Sequence, residues 1–133
     1  MSSEYVQVDV HLRSGVIQTT ATLIMGEKSS ISIVILGETF VGEGAELFSA
    51  LVDIRRKLDS RRILLLCAGA RLDVYPSRMS RQARYGRNAY ALTLGQPATR
   101  ENMTDIFASA LVAQIATPEA QLGFYESWLV SLS

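Results

Sequence analysis

An eight-residue alternation near the N-terminus constrains the fold more than any other feature of the sequence. From Tyr5 to Leu12 every second residue is Val or Leu, and the residues between them are Tyr, Gln, Asp and His. This period of two is typical of a β-strand with one buried and one exposed face. Arg13-Ser14-Gly15 then predicts a hairpin turn, and the Thr-rich, β-branched segment 16–24 predicts the returning strand. An antiparallel meander therefore opens the predicted fold.

The middle of the chain predicts a strand, a helix and a second strand. Segment 31–36 is an unbroken β-branched run, as in a strand buried on both faces. Segment 37–44 contains three Gly and two Glu and is predicted to be a loop. Apolar residues recur at helical spacing over 45–58, and 63–68 is again a buried strand. Strand, helix and strand are predicted to form one right-handed crossover, which would make the sheet mixed.

The C-terminal half predicts three more helices and one strand. In chain order these are a short helix over 77–84, a strand over 88–94, a helix capped by Thr99 or Asn102 and reaching about 111, and a helix over 119–132. The last helix is expected to bury Leu122, Tyr125 or Phe124, Leu129 and Leu132, with Trp128 nearby. The predicted fold is therefore α+β. A single domain spans residues 1–133, with an N-terminal antiparallel meander continued into a mixed sheet, one crossover helix and two C-terminal helices packed on the sheet.

Composition indicates a cytoplasmic protein with one core. The chain has 133 residues, and 48% of them are hydrophobic, which suits a single domain and opposes disorder. The longest strongly apolar run, 63–70, has eight residues, whereas a bilayer span needs roughly 20. The N-terminal residues lack the basic start and apolar core of a signal peptide. The single cysteine fits a reducing compartment.

Residues that carry out chemistry are scarce. His11 is the one histidine, and Cys67 ends a buried apolar run, where a thiol acts as a small hydrophobic group. One imidazole and one thiol cannot form a conventional zinc site. The glycines between 37 and 44 match neither the dinucleotide-binding fingerprint nor the phosphate-binding Gly-Lys-Ser/Thr loop. The sequence thus predicts no catalytic residue, no metal and no cofactor, and hence a protein that is not an enzyme.

Charge is strongly segregated although the net charge is zero. Residues 1–54 contain two bases and seven acids, a local charge of −5. Residues 55–100 contain eleven bases and two acids, a local charge of +9, and residues 101–133 contain four acids and no base. Such asymmetry indicates either an acidic partner for the middle segment or internal neutralisation by its flanks. The zero net charge argues against general coating of nucleic acid.

The arginines of the middle segment are the strongest candidates for a binding site. Arg78, Arg81 and Arg84 recur every three residues, which predicts that all three lie along one side of a short helix. Arginine forms the forked contacts that suit carboxylate and phosphate, and tyrosine is enriched at interfaces. The predicted partner-binding residues are Arg71, Tyr75, Arg78, Arg81, Arg84, Tyr85 and Arg87.

Two alternatives to this site stay open. The arginines could instead pair internally with acids of the C-terminal helices, namely Glu101, Asp105, Glu119 and Glu126. The interface could also be the acid-rich loop with Glu38, Glu43 and Glu46, which would mimic nucleic acid towards a basic nuclease.

The same segment carries a family resemblance. The string Gly69-Ala70-Arg71, then Val74-Tyr75-Pro76-Ser77-Arg78-Met79-Ser80-Arg81, then Gly86 and Ala89-Tyr90, resembles a group of small bacterial immunity proteins. These accompany polymorphic or contact-dependent growth-inhibition toxins. The resemblance covers about residues 45–130, and Arg78 stands where these proteins have a small residue. It implies a non-catalytic cytoplasmic protein that binds and neutralises the C-terminal domain of one cognate toxin.

A rival function rests on the same arginines. A small enzyme or binding module could use them to hold a phosphorylated or carboxylated ligand, with Asp73 or Tyr75 as the local candidate for proton transfer. A nucleic-acid-binding module is less favoured, because Tyr75, Tyr85 and Tyr90 are too scattered for base stacking. The sequence predicts no membrane or nucleic-acid partner, and it leaves the toxin's activity and the oligomeric state open.

Overall fold

The N-terminal half of the protein forms one large antiparallel sheet. The computed structural model describes residues 2–133. The strands of this sheet are β1 (Ser2–Leu12), β2 (Gly15–Met25), β3 (Ser29–Ile35), β4 (Glu38–Gly44) and β5 (Leu64–Leu65), in the spatial order β4-β3-β2-β1-β5. The register of β1 and β2 runs from Ser2 opposite Met25 to Leu12 opposite Gly15. The alternation in β1 buries Val8, Val10 and Leu12, so the predicted meander is confirmed.

The loop prediction for 37–44 is wrong, because this segment is strand β4. Ile35 and Glu38 face each other across a two-residue turn in which Leu36 and Gly37 both have positive φ, as tight hairpins require. Strand β5 has only two residues and pairs antiparallel with β1. The predicted parallel crossover is therefore replaced by a hairpin, and the large sheet is antiparallel throughout rather than mixed.

The glycines of β4 allow helix α1 (Leu47–Asp59) to lie directly on the sheet. A Cβ atom at Gly42 would stand 2.3 Å from the carbonyl oxygen of Ala50 and 2.6 Å from Cβ of Ile54. Glycine is thus required at Gly42 by close backbone approach and not by a loop conformation. The helix begins after Glu46, whose carboxylate accepts a hydrogen bond from the backbone N–H of Ser49 at 2.8 Å.

Gly42→Ala is expected to lower the free energy of unfolding by about 1–3 kcal/mol, because the added methyl group must push α1 away from β4. Urea denaturation measures this change. Gly123→Ala is the matched control, since that glycine lies in an α-helix with open space around it. Helix propensity should make the control more stable by about 0.5–1 kcal/mol. Equal stability of the two variants would contradict the close-approach explanation.

The C-terminal half adds a small sheet and two helices. The sheet contains β6 (Val74–Tyr75), β7 (Asn88–Ala91) and β8 (Met103–Asp105), all antiparallel, and the helices are α2 (Arg78–Ala83) and α3 (Pro118–Ser131). Buried residues of both sheets and of α1 form one continuous core. None of the helices in residues 2–133 has the length and apolar character needed to span a bilayer.

The predicted helix after Thr99 is absent. Asn102 and Thr99 cap a single helical turn over 100–102, after which the chain becomes extended and pairs with β7 as β8. The backbone just after β8 also bonds to another segment, since Ile106 donates its N–H to the carbonyl of Arg87 at 2.9 Å. One C-terminal helix is therefore present where two were predicted, and this helix follows Thr117 with Pro118 in its first turn, as predicted.

Helix α3 packs around a polar residue, Gln121, that its sequence does not single out. Its buried contacts are made by Pro118, Gln121 and Trp128, whereas Leu122, Leu129 and Leu132 all lie at the surface. The prediction that these three leucines are buried is wrong, because a polar hydrogen-bonding residue occupies the centre of the packed face. The α+β class itself is confirmed.

Candidate partner-binding site

Helix α2 is held firmly between α1 and the small sheet. Ser77 caps the helix by accepting the N–H of Ser80 at 3.0 Å, and the Ser80 hydroxyl donates to the carbonyl of Asn88. At the other end, the carbonyl of Tyr85 accepts the N–H of Leu47, the first residue of α1, at 2.7 Å. The short helix predicted from Ser77 is therefore confirmed, and it presents its side chains from a fixed position.

The corner that follows α2 has an unusual backbone. Tyr85 has a φ of 54° and Gly86 a φ of 67°, so two successive residues are left-handed. Glycine adopts this conformation freely, whereas a bulky residue such as tyrosine does so at a cost of order 1–3 kcal/mol. The Tyr85 side chain is 43% exposed. The strained corner thus places an aromatic ring at the surface beside the arginines.

Two of the predicted arginines form ion pairs with carboxylates of the same chain. Arg71 donates two hydrogen bonds to Asp73, at 2.9 and 2.8 Å. Arg87 bonds both oxygens of Glu4, at 2.7 and 3.0 Å, and both oxygens of Asp105, at 3.0 and 3.1 Å. Hydrogen bonding to Arg87 lowers the pKa of Glu4. Of the four acids predicted as internal partners, only Asp105 pairs with these arginines, and it lies in strand β8 and not in a helix; Asp73 and Glu4 supply the other pairs.

Arg81 is also occupied by internal contacts. Its guanidinium carbon lies 5.3 Å from the ring centroids of both Phe48 and Tyr75, and a nitrogen lies 3.7 Å from the carboxylate of Glu46. Cation–π contacts of this kind favour a fixed, partly buried arginine. Tyr75 is itself stacked on Tyr125, with ring centroids 4.1 Å apart. The prediction that Arg78, Arg81 and Arg84 share one side is wrong, because Arg81 turns inwards and α2 ends before Arg84.

Arg78 and Arg84 remain exposed and unpaired. Neither forms an ion pair or a side-chain hydrogen bond with any group in residues 2–133. Arg100 has the same status, and sequence reasoning missed it. The sequence signal that could have identified Arg100 is its place in residues 55–100, the segment with a local charge of +9. Among residues 71–100, the fold thus neutralises three arginines and leaves these three guanidinium groups free.

A groove lies between these three arginines. It consists of two adjoining concavities of about 590 and 370 Å³, which share Ser77, Met79 and Tyr90 in their walls. Arg84 and Arg100 line the larger concavity, and Arg78 lines the smaller one. No carboxylate lines either of them. We call this feature the α2 groove; it joins apolar surface to positive charge.

Met79 stands at the centre of the α2 groove and was not among the predicted site residues. Its side chain is 77% exposed, although methionine is usually buried. Met103, at the far side of the larger concavity, is 41% exposed. Flexible thioether side chains are common on surfaces that adapt to a protein partner. The one sequence signal that could have identified Met79 is its position in the motif that resembles immunity proteins.

A second basic cleft lies beside the turn between β1 and β2, and sequence reasoning also missed it. Arg13, Arg61 and Arg62 line it, together with Leu36, in a volume of about 610 Å³. Arg61 is paired with Glu38 through bonds of 2.8 and 2.9 Å, while Arg13 and Arg62 form no ion pair in residues 2–133. We call this feature the hairpin cleft. It has fewer aromatic and apolar side chains than the α2 groove and no methionine.

The acids of segment 38–46 are largely engaged. Besides the Glu38 pair, Glu43 lies 3.6 Å from Lys28, and Glu46 is buried as the cap of α1. A surface that mimics nucleic acid needs free carboxylates that project into solvent. Glu38 and Glu43 are instead paired with cations, and Glu46 is buried.

The potential nucleophile lies inside the core. Cys67 has no exposed surface, and burial raises the pKa of its thiol to about 11. His11 pairs with Val16 and Leu64 across neighbouring strands of the large sheet. Within residues 2–133, no three His, Cys, Asp or Glu side chains cluster closely enough to hold a metal ion.

The thiol of native Cys67 is expected to resist Ellman's reagent at pH 8, because a buried, protonated thiol is a poor nucleophile. One equivalent should react after denaturation in guanidinium chloride. Since the thiol ionises more readily in the unfolded chain, stability should also decline as the pH rises from about 9 to about 11. Rapid labelling of the folded protein would contradict this assignment.

Comparison with known proteins adds no family assignment. No protein-family model and no curated protein matches the chain.

Proposed function

We propose that this chain is a non-catalytic cytoplasmic immunity protein that binds and neutralises a cognate bacterial toxin domain. The observation that carries the proposal is the α2 groove, where Arg78, Arg84 and Arg100 are exposed while neighbouring arginines are paired. An inhibitor of this kind needs a rigid scaffold and a charged surface that steers one partner into place. Residues 75–80 and Tyr90 of the motif that resembles immunity proteins line this groove.

The chemistry of the surface also supports binding over catalysis. No histidine, cysteine or carboxylate lines the α2 groove, so a proton-transfer group or nucleophile of those types is missing from its walls. Asp73, the local candidate for proton transfer, is bonded to Arg71. Arginine, tyrosine and tryptophan are the residues that contribute most at protein interfaces, and all three line the smaller concavity.

The proposal is tested by capture of the partner from the organism that encodes the chain. The tagged full chain is incubated with lysate, and captured proteins are identified by mass spectrometry. We expect stoichiometric recovery of a C-terminal toxin domain encoded by the adjacent upstream gene. Absence of such a partner, together with a metabolic gene neighbourhood, would contradict the proposal. Saturable thermal stabilisation by anionic metabolites would then support the rival function.

A further inference from the structure

The α2 groove combines three features that together specify the chemistry of its occupant. It is lined by unpaired arginines, it is open along two adjoining concavities, and its centre is an exposed methionine. A small anion would use the charge and leave the apolar surface in water. A purely apolar segment would leave three guanidinium groups facing its uncharged surface.

We propose that the α2 groove binds an acidic, amphipathic segment of the partner protein. An apolar side chain of that segment packs against Met79 and Tyr90, and its carboxylates pair with Arg78, Arg84 and Arg100. The inference rests on the proposed function only in taking the partner to be a protein. It specifies the surface of this chain and the composition of the segment that covers it.

Charge complementarity identifies the occupant as acidic. The groove walls contain no carboxylate, and Glu101, the acid next to Arg100, lies outside them. Arginine forms paired hydrogen bonds with a carboxylate, and such bonds are stronger when the apolar neighbours exclude water. An acidic segment gains from all three arginines, whereas a basic segment would be repelled.

The aromatic floor of the smaller concavity identifies the occupant as partly apolar. Tyr125 is stacked between Tyr75 and Trp128, with centroid distances of 4.1 and 6.1 Å. The indole N–H of Trp128 already donates to the carbonyl of Gln96 at 2.8 Å, so the aromatic rings are fixed before any partner arrives. A preorganised aromatic surface binds apolar side chains with little loss of side-chain entropy.

The test uses a displayed library of random 12-residue peptides selected on the full chain. We expect the enriched peptides to combine Asp or Glu with Leu, Phe, Met or Trp. Binding of a synthesised peptide is then measured by fluorescence anisotropy. Arg78→Glu/Arg84→Glu should weaken it at least tenfold, and Met79→Asp should do the same. Met79→Ala, which adds no charge, should weaken it about three- to tenfold.

The hairpin cleft supplies the matched control. Arg13→Glu/Arg62→Glu changes the net charge by the same amount and also reverses two exposed, unpaired arginines, so peptide affinity should stay within twofold. Circular dichroism confirms that each variant is folded. Selection of no peptide, or of peptides without acids, would overturn the inference. Binding that survives the groove substitutions, or is lost in the control variant, would overturn it too.

The outcomes separate this inference from the proposed function. Acidic peptides that bind the groove, in the absence of any adjacent toxin gene, would leave the inference standing and remove the proposed function. A toxin domain that binds through the hairpin cleft would support the proposed function and overturn the inference. Citrate that occupies the groove while no peptide is selected would identify a small-anion site and overturn the inference.

Discussion

Gln121→Leu is expected to lower the free energy of unfolding by about 3–5 kcal/mol, the largest effect of any single substitution considered for this protein. The Gln121 side chain is buried, and its oxygen accepts a hydrogen bond from Arg55 at 2.8 Å. Its nitrogen, which carries two N–H donors, lies 2.8 to 2.9 Å from the carbonyl oxygens of Gly69, Arg71 and Val74, so one donor is shared between two of them. Leucine fills a similar volume but satisfies none of these groups.

The buried cation makes this loss severe. Arg55 is 6% exposed, forms no ion pair in residues 2–133, and is held by Gln121 and by the carbonyls of Ala70 and Ala116. Burial lowers the pKa of this arginine, so the charged form already depends on its few acceptors. Removal of one acceptor leaves part of a buried charge unsatisfied.

Chemical denaturation of three variants measures the effect. Arg55→Met alone removes the cation, and the double variant Arg55→Met/Gln121→Leu closes a thermodynamic cycle. We expect the cost of Gln121→Leu to fall by about 1–3 kcal/mol when Arg55 is absent. Gln7→Leu, at an exposed position of strand β1, is the control and should change stability by less than about 0.5 kcal/mol. A Gln121→Leu variant as stable as the wild type would contradict the assigned role.

Arg78→Glu/Arg84→Glu is expected to slow association with the cognate toxin domain and to weaken the complex about ten- to hundredfold. The substitutions replace attraction with repulsion at the rim of the α2 groove, where charge steers the encounter. Both side chains are exposed and unpaired, so the fold should be retained. Stopped-flow fluorescence at several salt concentrations measures the association rate.

The salt dependence gives this prediction a second readout. Wild-type association should slow as salt rises, because screening shortens the range of the arginine field. The double variant should show a flat or reversed salt dependence. Arg13→Glu/Arg62→Glu in the hairpin cleft should behave as the wild type does. Unchanged kinetics in the groove variant would remove this surface from the proposed interface.

Local signals explain what the sequence predicted correctly. The alternation in β1 and the two-residue turn at Arg13–Ser14 involve neighbouring residues only, and they determine the first hairpin. Ser77 and Gly86 similarly bracket α2 by capping chemistry that acts within a few residues. Such features need no knowledge of the rest of the fold.

Long-range contacts explain what the sequence did not predict. Glycine is a residue type common in loops, but Gly42 is needed in β4 because helix α1 packs directly against its backbone. Met103, Ile106, Phe107 and Ala110 have helical spacing, yet residues 103–105 pair with β7 as β8, and Ile106 donates its N–H to the carbonyl of Arg87. Tertiary contacts outweighed local propensity in both places.

The candidate site likewise combines local features that the sequence predicts with long-range contacts that it does not predict. Arginine content and spacing identified the segment from 71 to 87, but the pairing of Arg87 depends on Glu4 and Asp105, which are distant in sequence. The exposed position of Met79 likewise depends on how α2 is seated against the small sheet. Residue type therefore located the basic segment, and the fold determined which of its members are free.

Growth protection tests the central claim most directly. The toxin domain that the proposed function expects beside this chain is expressed in a host together with the wild-type chain, the groove variant Arg78→Glu/Arg84→Glu, or the hairpin-cleft variant Arg13→Glu/Arg62→Glu. The account predicts that the wild type and the hairpin-cleft variant restore growth and that the groove variant, present at the same level, does not. Failure of the wild type to protect, or equal protection by all three chains, would contradict it.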